Sequence, residues 1–106
     1  MRRFFITMLA VVLTARLGVV NYNGHRETYY NKRMNYVCER AQQNGIDGKY
    51  WVNEDGCKMY GDYIIAAANW NIHPYGSIVE TTRGKAIILD TGDFKDRTTV
   101  DIAVTW

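Results

Sequence analysis

The chain has 106 residues, which is enough for one domain and lies near the lower limit for a core that folds unaided. A hydrophobic fraction of 47%, with 13% aromatic residues, argues against a disordered chain. The 13 basic and 11 acidic residues leave a net charge of +2, and no basic block is interleaved with aromatic residues. Nucleic acid is therefore not an expected partner.

The first residues, "MRRFFITMLAVVLTARLGVV", resemble a targeting segment. Two arginines precede an apolar run, Phe4 to Leu13, that is too short to span a bilayer as a helix but suits a secretory signal. The cleavage end is poor because Leu13, two places before Ala15, is not small. The alternative is a first strand that continues into "RLGVVNYNG". We predict a signal peptide or membrane-proximal segment over residues 1–16, a domain over 17–106, and a secreted or cell-wall location without a stable membrane span.

A hairpin and a helix are the next predicted elements. Asn23-Gly24 is a strong signal for a tight turn between "LGVVNY" and the strand "RETYYN". Between residues 32 and 44 the period changes to that of a helix. One face carries Met34, Val37, Cys38 and Ala41, and Gly45 is a suitable stop.

The rest of the chain has the pattern of short strands. "IDGKYWVNEDGCKMYGDY" indicates a hairpin or decorated loop, and "YIIAAANW" and "KAIIL" are apolar runs typical of strands covered on both faces. A turn over residues 74–76 precedes the strand of "SIVETT", and "VDIAVTW" alternates. Short strands, glycine-rich turns and one helix favour a small β-barrel over a sandwich.

The two cysteines, Cys38 and Cys57, belong to no CxxC motif or Cys/His cluster, and His25 and His73 are far apart in sequence. We therefore predict no metal site and no cofactor. A bridge between the cysteines and a pair of free buried thiols both stay open, and we favour free thiols.

Two aspartates in apolar surroundings, Asp90 and Asp101, are the candidate functional residues, because a buried carboxylate is costly unless it is paired or used. If Val100, Ile102, Val104 and Trp106 face the core, Asp101 must point to the opposite face. Asp90 ends its strand at the "DTG" turn, where Thr91 and Gly92 can hydrogen-bond it. The alternative is that Asp90 only caps this turn and Asp101 is a solvated strand residue.

The segment "AANWNIHPYGSIVETTRGKAIILDTGDFKDRTTVDIAVTW" resembles the 3D domain, a family named for three aspartates. "LDTGD" and "VDIAV" match the positions of the second and third aspartates, and "IHPYGS" takes the place of the Pro-Gly turn. "ETYYN" resembles the early Thr-x-Tyr strand of such barrels. The resemblance implies a mainly β fold, a six-stranded double-psi β-barrel with one or two short helices, related to MltA-type lytic transglycosylases.

The same resemblance implies a glycosidase, a lytic transglycosylase that cleaves peptidoglycan glycan strands at the linkage between N-acetylmuramic acid and N-acetylglucosamine. Asp101 would be the general acid and base and Asp90 the second catalytic carboxylate. The substrate-binding residues implied or suggested by their place beside the motifs are Asn69, Trp70, Tyr75, Thr28, Tyr30, Thr91 and Gly92.

Two departures from the family pattern bear on these roles. Asn69 stands where the family has its first aspartate, and the usual glycine-rich loop is the more charged "GDFKDRTT". An amide can hydrogen-bond but cannot exchange a proton as an acid. A barrel that binds wall glycan without cutting it is therefore the alternative function.

Overall fold

A computed structural model describes residues 19–106. The candidate signal segment and the predicted domain boundary lie outside the described residues. The elements, in chain order, are β1 (Val20–Tyr22), β2 (His25–Tyr30), α1 (Asn35–Gln43), β3 (Tyr50–Val52), β4 (Lys58–Tyr60), β5 (Tyr63–Ala68), β6 (Ile78–Thr81), β7 (Gly84–Asp90) and β8 (Val100–Ala103).

The eight described strands form one sheet that branches at β5. One edge of β5 pairs antiparallel with β4 and then with β8, while its other edge pairs parallel with β7. Strand β8 also pairs parallel with β2, so that two parallel pairs flank the antiparallel pair of β5 and β8. Short hairpins add β1 to β2, β3 to β4 and β6 to β7.

The first hairpin and the helix form where the sequence predicts them. Asn23 and Gly24 have φ of 51° and 82°, the left-handed conformation that a tight two-residue turn requires. Two residues after α1 ends, Gly45 has a φ of 80°; its amide donates to the Gln42 carbonyl, and the Ile46 amide donates to the Ala41 carbonyl. These two bonds satisfy carbonyl groups that the end of a helix otherwise leaves unpaired.

Two apolar clusters lie on opposite faces of the sheet. We call the first the strand core, because four strands contribute to it and α1 does not. It comprises Cys57, Met59, Ile64, Ala66, Ala68, Ala86, Ile88, Val100, Ile102 and Val104, with Tyr29 and Val79 packed against it. We call the second the helix core, since it joins α1 to the other face; it comprises Met34, Val37, Cys38, Ala41, Tyr60, Ile65, Ile87, Leu89 and Ala103.

A mainly β domain with one short helix is thus confirmed for residues 19–106. The sheet has eight strands where six were expected, because β1 and β3 add a three-residue outer strand to their hairpins. The double-psi connection stays a prediction. Both cysteines are free and buried, as favoured from the sequence. No helix within residues 19–106 has the length and apolar character needed to cross a bilayer.

Candidate functional site

Asp90 and Asp101 lie in one row across three neighbouring strands. On one side of β5, Asp101 is the register partner of Ala67, and on the other side Asp90 is the partner of the same alanine. Two strand spacings separate the aspartate Cα atoms, which is roughly 10 Å. Residues in one row across a sheet project from the same face, so both carboxylates lie on the face that carries the helix core.

The alternation of β8 explains the direction of Asp101. Its neighbours Val100 and Ile102 lie in the strand core, whereas Ala103 lies in the helix core. Asp101 therefore projects away from the strand core, as the sequence pattern predicts.

Asp90 needs a β-bulge to reach the same face. The register of β5 with β7 runs from Ala66 with Ile88 directly to Ala67 with Asp90, so that Leu89 is an extra residue on β7. In regular pairing Leu89 would be the partner of Ala67, and Asp90 would lie one position further on, in phase with Ile88 on the face of the strand core. The bulge brings the carboxylate onto the face where Leu89 already packs in the helix core.

Asp101 is a half-buried carboxyl with one donor side chain. The hydroxyl group of Thr28, its register partner on β2, donates to Oδ1 over 2.7 Å. Burial raises the pKa of Asp101; the Thr28 hydrogen bond acts in the opposite direction, and the nearby Asp90 charge raises the pKa again. The net effect is an acid that holds its proton to a higher pH than an exposed aspartate does.

Asp90 is an enclosed carboxylate that several groups hold in place. Its side chain is 7% exposed. Oδ2 accepts from the Tyr30 hydroxyl group at 3.0 Å and pairs with Lys32 Nζ at 3.0 Å. Oδ1 accepts from the Thr91 backbone amide at 2.9 Å and lies 3.9 Å from Arg40 Nη2. These partners enclose the carboxylate and leave little room for a ligand at Asp90.

Tyr30 connects the two carboxyls electrostatically. Burial raises the pKa of its phenol strongly, and the charge and hydrogen bond of Asp90 and the charge of Asp101 act in the same direction. The phenol therefore stays protonated and remains a donor to Asp90. Thr28 and Tyr30, which the resemblance suggests as a pair, each contact one aspartate of the row.

An aromatic pair lies beside Asp90. The Trp70 ring meets the Tyr75 ring edge to face at 5.1 Å between centroids, and Trp70 Nε1 donates to the Asp90 carbonyl at 3.0 Å. The Arg40 guanidinium lies over both rings, 5.7 Å from the centroid of Trp70 and 5.8 Å from that of Tyr75. Trp70 is 37% exposed, so part of a fixed indole ring faces solvent.

The remaining predicted residues have local roles. The Asn69 side-chain oxygen accepts from the backbone amide of Asn71, and neither aspartate is among its hydrogen-bond partners in the described residues. Besides its amide bond to Asp90, Thr91 donates its hydroxyl to the Ala68 carbonyl and thereby ties the two strand ends together. Gly92 packs under the Phe94 ring, which lies 2.9 Å from the position that a Cβ atom would occupy.

Lys32 and Arg40 are the site residues that sequence reasoning missed. Both lie far from Asp90 in the chain, one before α1 and one within it, and no local motif marks them. One feature of the sequence could have indicated Arg40: it precedes Ala41 on the predicted helix and so borders the apolar face that packs on the sheet. Only the packing of α1 against β7 brings this guanidinium over Leu89 and Asp90.

A second buried polar cluster lies on β2. Glu27 is fully buried and accepts from His25 Nε2 at 2.9 Å and from the Thr82 hydroxyl at 2.7 Å. The two histidines, distant in sequence, have their rings 6.1 Å apart, and His73 Nε2 lies 3.1 Å from the Thr98 carbonyl oxygen. Among the described residues no group of His, Cys, Asp and Glu side chains has the arrangement of a metal site.

Comparison with known proteins returns no relative. No protein-family model matches the chain, and neither a curated protein nor a solved structure matches it. The candidate function therefore depends on the geometry of the row and on the motif resemblance.

Proposed function

We propose that the protein is a peptidoglycan-cleaving glycosidase, a lytic transglycosylase in which Asp101 is the general acid and base. The observation that carries this proposal is the pairing of a half-buried Asp101, whose pKa is raised, with an enclosed and ion-paired Asp90 in the same row. A carboxyl group whose pKa is raised by burial beside a fixed negative charge is a common basis for general acid catalysis.

The reaction needs one proton-exchanging group. Protonated Asp101 donates its proton to the glycosidic oxygen while the bond from this oxygen to C1 of N-acetylmuramic acid breaks. The C6 hydroxyl group of the same sugar then bonds to C1 and gives its proton to the Asp101 carboxylate. The products are a 1,6-anhydro sugar and a free hydroxyl end, and Asp101 is again protonated.

Intramolecular attack explains why few protein groups suffice. Effective molarities of about 10⁵ M or more are reached by well-oriented intramolecular nucleophiles, so no second carboxylate is needed to activate a water molecule. Asn69, in place of the family's first aspartate, is compatible with this reaction since the route assigns it no proton.

In this scheme Asp90 is a positioning charge. Its carboxylate is enclosed by Tyr30, Lys32, Arg40 and the Thr91 amide, so it acts on Asp101 through the electrostatic field and not by touching the sugar. The role differs from that of the nucleophile in a retaining hydrolase, which must contact C1.

The exposed part of Trp70 is the proposed sugar platform. Its indole nitrogen is bound to the Asp90 carbonyl, and Tyr75 and Arg40 pack against it, so the ring loses little freedom when a sugar stacks on it. Because peptidoglycan lies outside the cytoplasmic membrane, the substrate implies a secreted or wall-associated protein.

The second candidate function is glycan binding without cleavage. The fixed Trp70–Tyr75 pair favours it, because stacking needs no acid, and so does the turn-bound amide of Asn69. A pure binder would sediment with insoluble wall and release no product.

The two functions are distinguished with purified wall, by sedimentation and by analysis of released muropeptides. We expect the wild-type protein to release 1,6-anhydromuropeptides and Asp101→Asn to sediment with the wall while losing at least about 100-fold in release, the usual contribution of a general acid. Asp62→Asn, the same change at an exposed turn residue, is the matched control and should retain release. Full release by folded Asp101→Asn would refute the catalytic role, and wall sedimentation without release by the wild type would favour the binder.

A further inference from the structure

A hollow of about 410 Å³ lies apart from the aspartate row, where the chain enters α1 and passes β3 and β4. It is lined by Arg33, Met34, Asn35, Cys38, Tyr50 and Lys58. Sites for small organic ligands have volumes of about 300–1,000 Å³, so this hollow is large enough for such a ligand.

Lys58 supplies a buried cation to this hollow. The residue is 6% exposed, and its ammonium donates to the Asn31 side-chain oxygen at 2.7 Å and to the Lys32 carbonyl at 2.5 Å. Both acceptors are neutral, and no ion pair within residues 19–106 includes Lys58. Burial lowers the pKa of Lys58, as expected for an ammonium without a counter-charge.

Buried lysines are rare unless they are paired, because removing the charge from water is costly. An ammonium has three N–H groups, and the two described acceptors leave one of them for a ligand. The Lys58 ammonium therefore has an N–H group, but no described anion, on the side that faces the hollow.

Two further features of the wall favour an anion. Arg33 adds a second cation, and the first turn of α1 contains no acidic residue. The residue before the helix, Met34, makes no side-chain capping bond, so its side chain does not occupy the first amides of α1.

The other part of the wall is apolar. Met34 is buried, Cys38 is a thiol whose pKa burial raises, and Tyr50 is 45% exposed on the edge strand β3. A purely inorganic ion would leave this part of the hollow unused.

We propose that the hollow binds a small organic anion, whose carboxylate or phosphate group pairs with Lys58 and Arg33 and whose apolar part lies against Met34 and Tyr50. The proposal does not depend on the glycosidase function, since within residues 19–106 none of the lining residues hydrogen-bonds or ion-pairs with Asp90 or Asp101.

The test is calorimetric titration with four probes: phenyl phosphate, benzoate, inorganic phosphate and phenol. We expect saturable binding of phenyl phosphate or benzoate, weaker binding of inorganic phosphate and none of phenol, because the site requires both a charge and an apolar part. Comparison of the affinities for phenyl phosphate and benzoate shows whether the site prefers a phosphate or a carboxylate group. Absence of saturable binding for both organic anions would overturn the proposal, as would equal binding of inorganic phosphate, which would indicate an adventitious ion only.

Matched variants localise the binding. Lys58→Met keeps the length and apolar stem of the side chain, and we expect it to weaken the better organic anion by at least about tenfold, the loss of one charged hydrogen bond. Lys49→Met, the same change at an exposed lysine outside the hollow, should leave the affinity unchanged. Arg33→Gln, at an exposed position, provides a second test if Lys58→Met fails to fold. Unchanged affinity in the folded hollow variants would contradict the site.

A thiol reagent gives an independent readout. Cys38 lines the hollow, whereas Cys57 is fully buried in the strand core. We expect the bound anion to slow alkylation of Cys38 by iodoacetamide several-fold in the wild type and not in Lys58→Met. Equal protection in both proteins would place the anion elsewhere.

Discussion

At the scale of single residues, Thr28 and Asp90 act on Asp101 in opposite directions. The Thr28 hydroxyl stabilises the Asp101 carboxylate by a 2.7 Å hydrogen bond, whereas the charge of Asp90 disfavours that carboxylate. The two influences can be separated by mutation, because each has its own side chain on its own strand.

Thr28→Val removes the hydroxyl donor and retains the shape of the side chain. We expect the pKa of Asp101 to rise, since the hydrogen bond that favours the carboxylate is lost. A general acid works while it is protonated, so the descending limb of the pH profile of kcat/KM should move to higher pH. If the descending limb of the profile did not move, Thr28 would have no effect on the pKa of the general acid.

Asp90→Asn should shift the same limb in the other direction. Loss of the neighbouring negative charge lowers the pKa of Asp101, so the acid loses its proton at lower pH. The variant also leaves Lys32 without its carboxylate partner, and the free energy of unfolding should decrease. Opposite shifts for the two variants are the expected signature; a common direction would contradict the assigned roles.

At the scale of elements, the sequence predicts what local periodicity controls. Alternation in "VDIAV" fixes the direction of Asp101, the i, i+3, i+4, i+7 pattern fixes the buried face of α1, and Asn23-Gly24 fixes the first turn. The extra residue in β7 was not predicted, because "KAIILD" is apolar throughout and shows no alternation that an inserted residue would interrupt.

The sequence also does not predict the charged partners of Asp90. Arg40 contacts Asp90 because α1 packs against β7, and Lys32 contacts it because it follows β2, which pairs with β8. The local sequence of neither segment indicates such a contact between distant parts of the chain. The turn bond from the Thr91 amide, by contrast, joins neighbouring residues and was anticipated.

Deleting Leu89 tests whether the bulge positions Asp90. The deletion makes Asp90 the next residue after Ile88, so that a regular ladder still pairs it with Ala67 on the same face, and we expect the loss of stability to be mainly that of the buried Leu89 side chain. Leu89→Ala is the control, because it removes the buried side chain, at about 2–5 kcal/mol, and keeps the residue count. Measured by urea unfolding, the deletion should cost about as much free energy of unfolding as Leu89→Ala; a clearly larger cost would mean that the bulged backbone itself is needed to hold Asp90 against its partners.

At the scale of the whole molecule, Asp101 is expected to lower the free energy of unfolding at neutral pH. The folded-state pKa of Asp101 is raised, so the folded protein holds this proton more tightly than the unfolded chain does. The contribution of Asp101 to the free energy of unfolding must then decrease as the pH rises from the unfolded pKa through the raised folded pKa.

Asp101→Asn should therefore be more stable than the wild type at pH 7 and should lose the part of the pH dependence that lies in this window. Urea unfolding of both proteins between pH 3 and pH 8 measures the difference. A variant less stable than the wild type at pH 7 would show that the carboxylate contributes more favourable contacts than burial costs, against the direction of its pKa.

The position of β8 has a consequence for biosynthesis. This strand is the last one in the described chain, yet it lies between β2 and β5 and joins them. In a ribosome-bound intermediate that lacks residues 100–103, no strand joins β2 to β5, and the strand core is without Val100 and Ile102. The described sheet is complete only when translation has passed these residues, and the same stretch contains Asp101, so that the proposed acid and the native structure would arise at the same stage of synthesis.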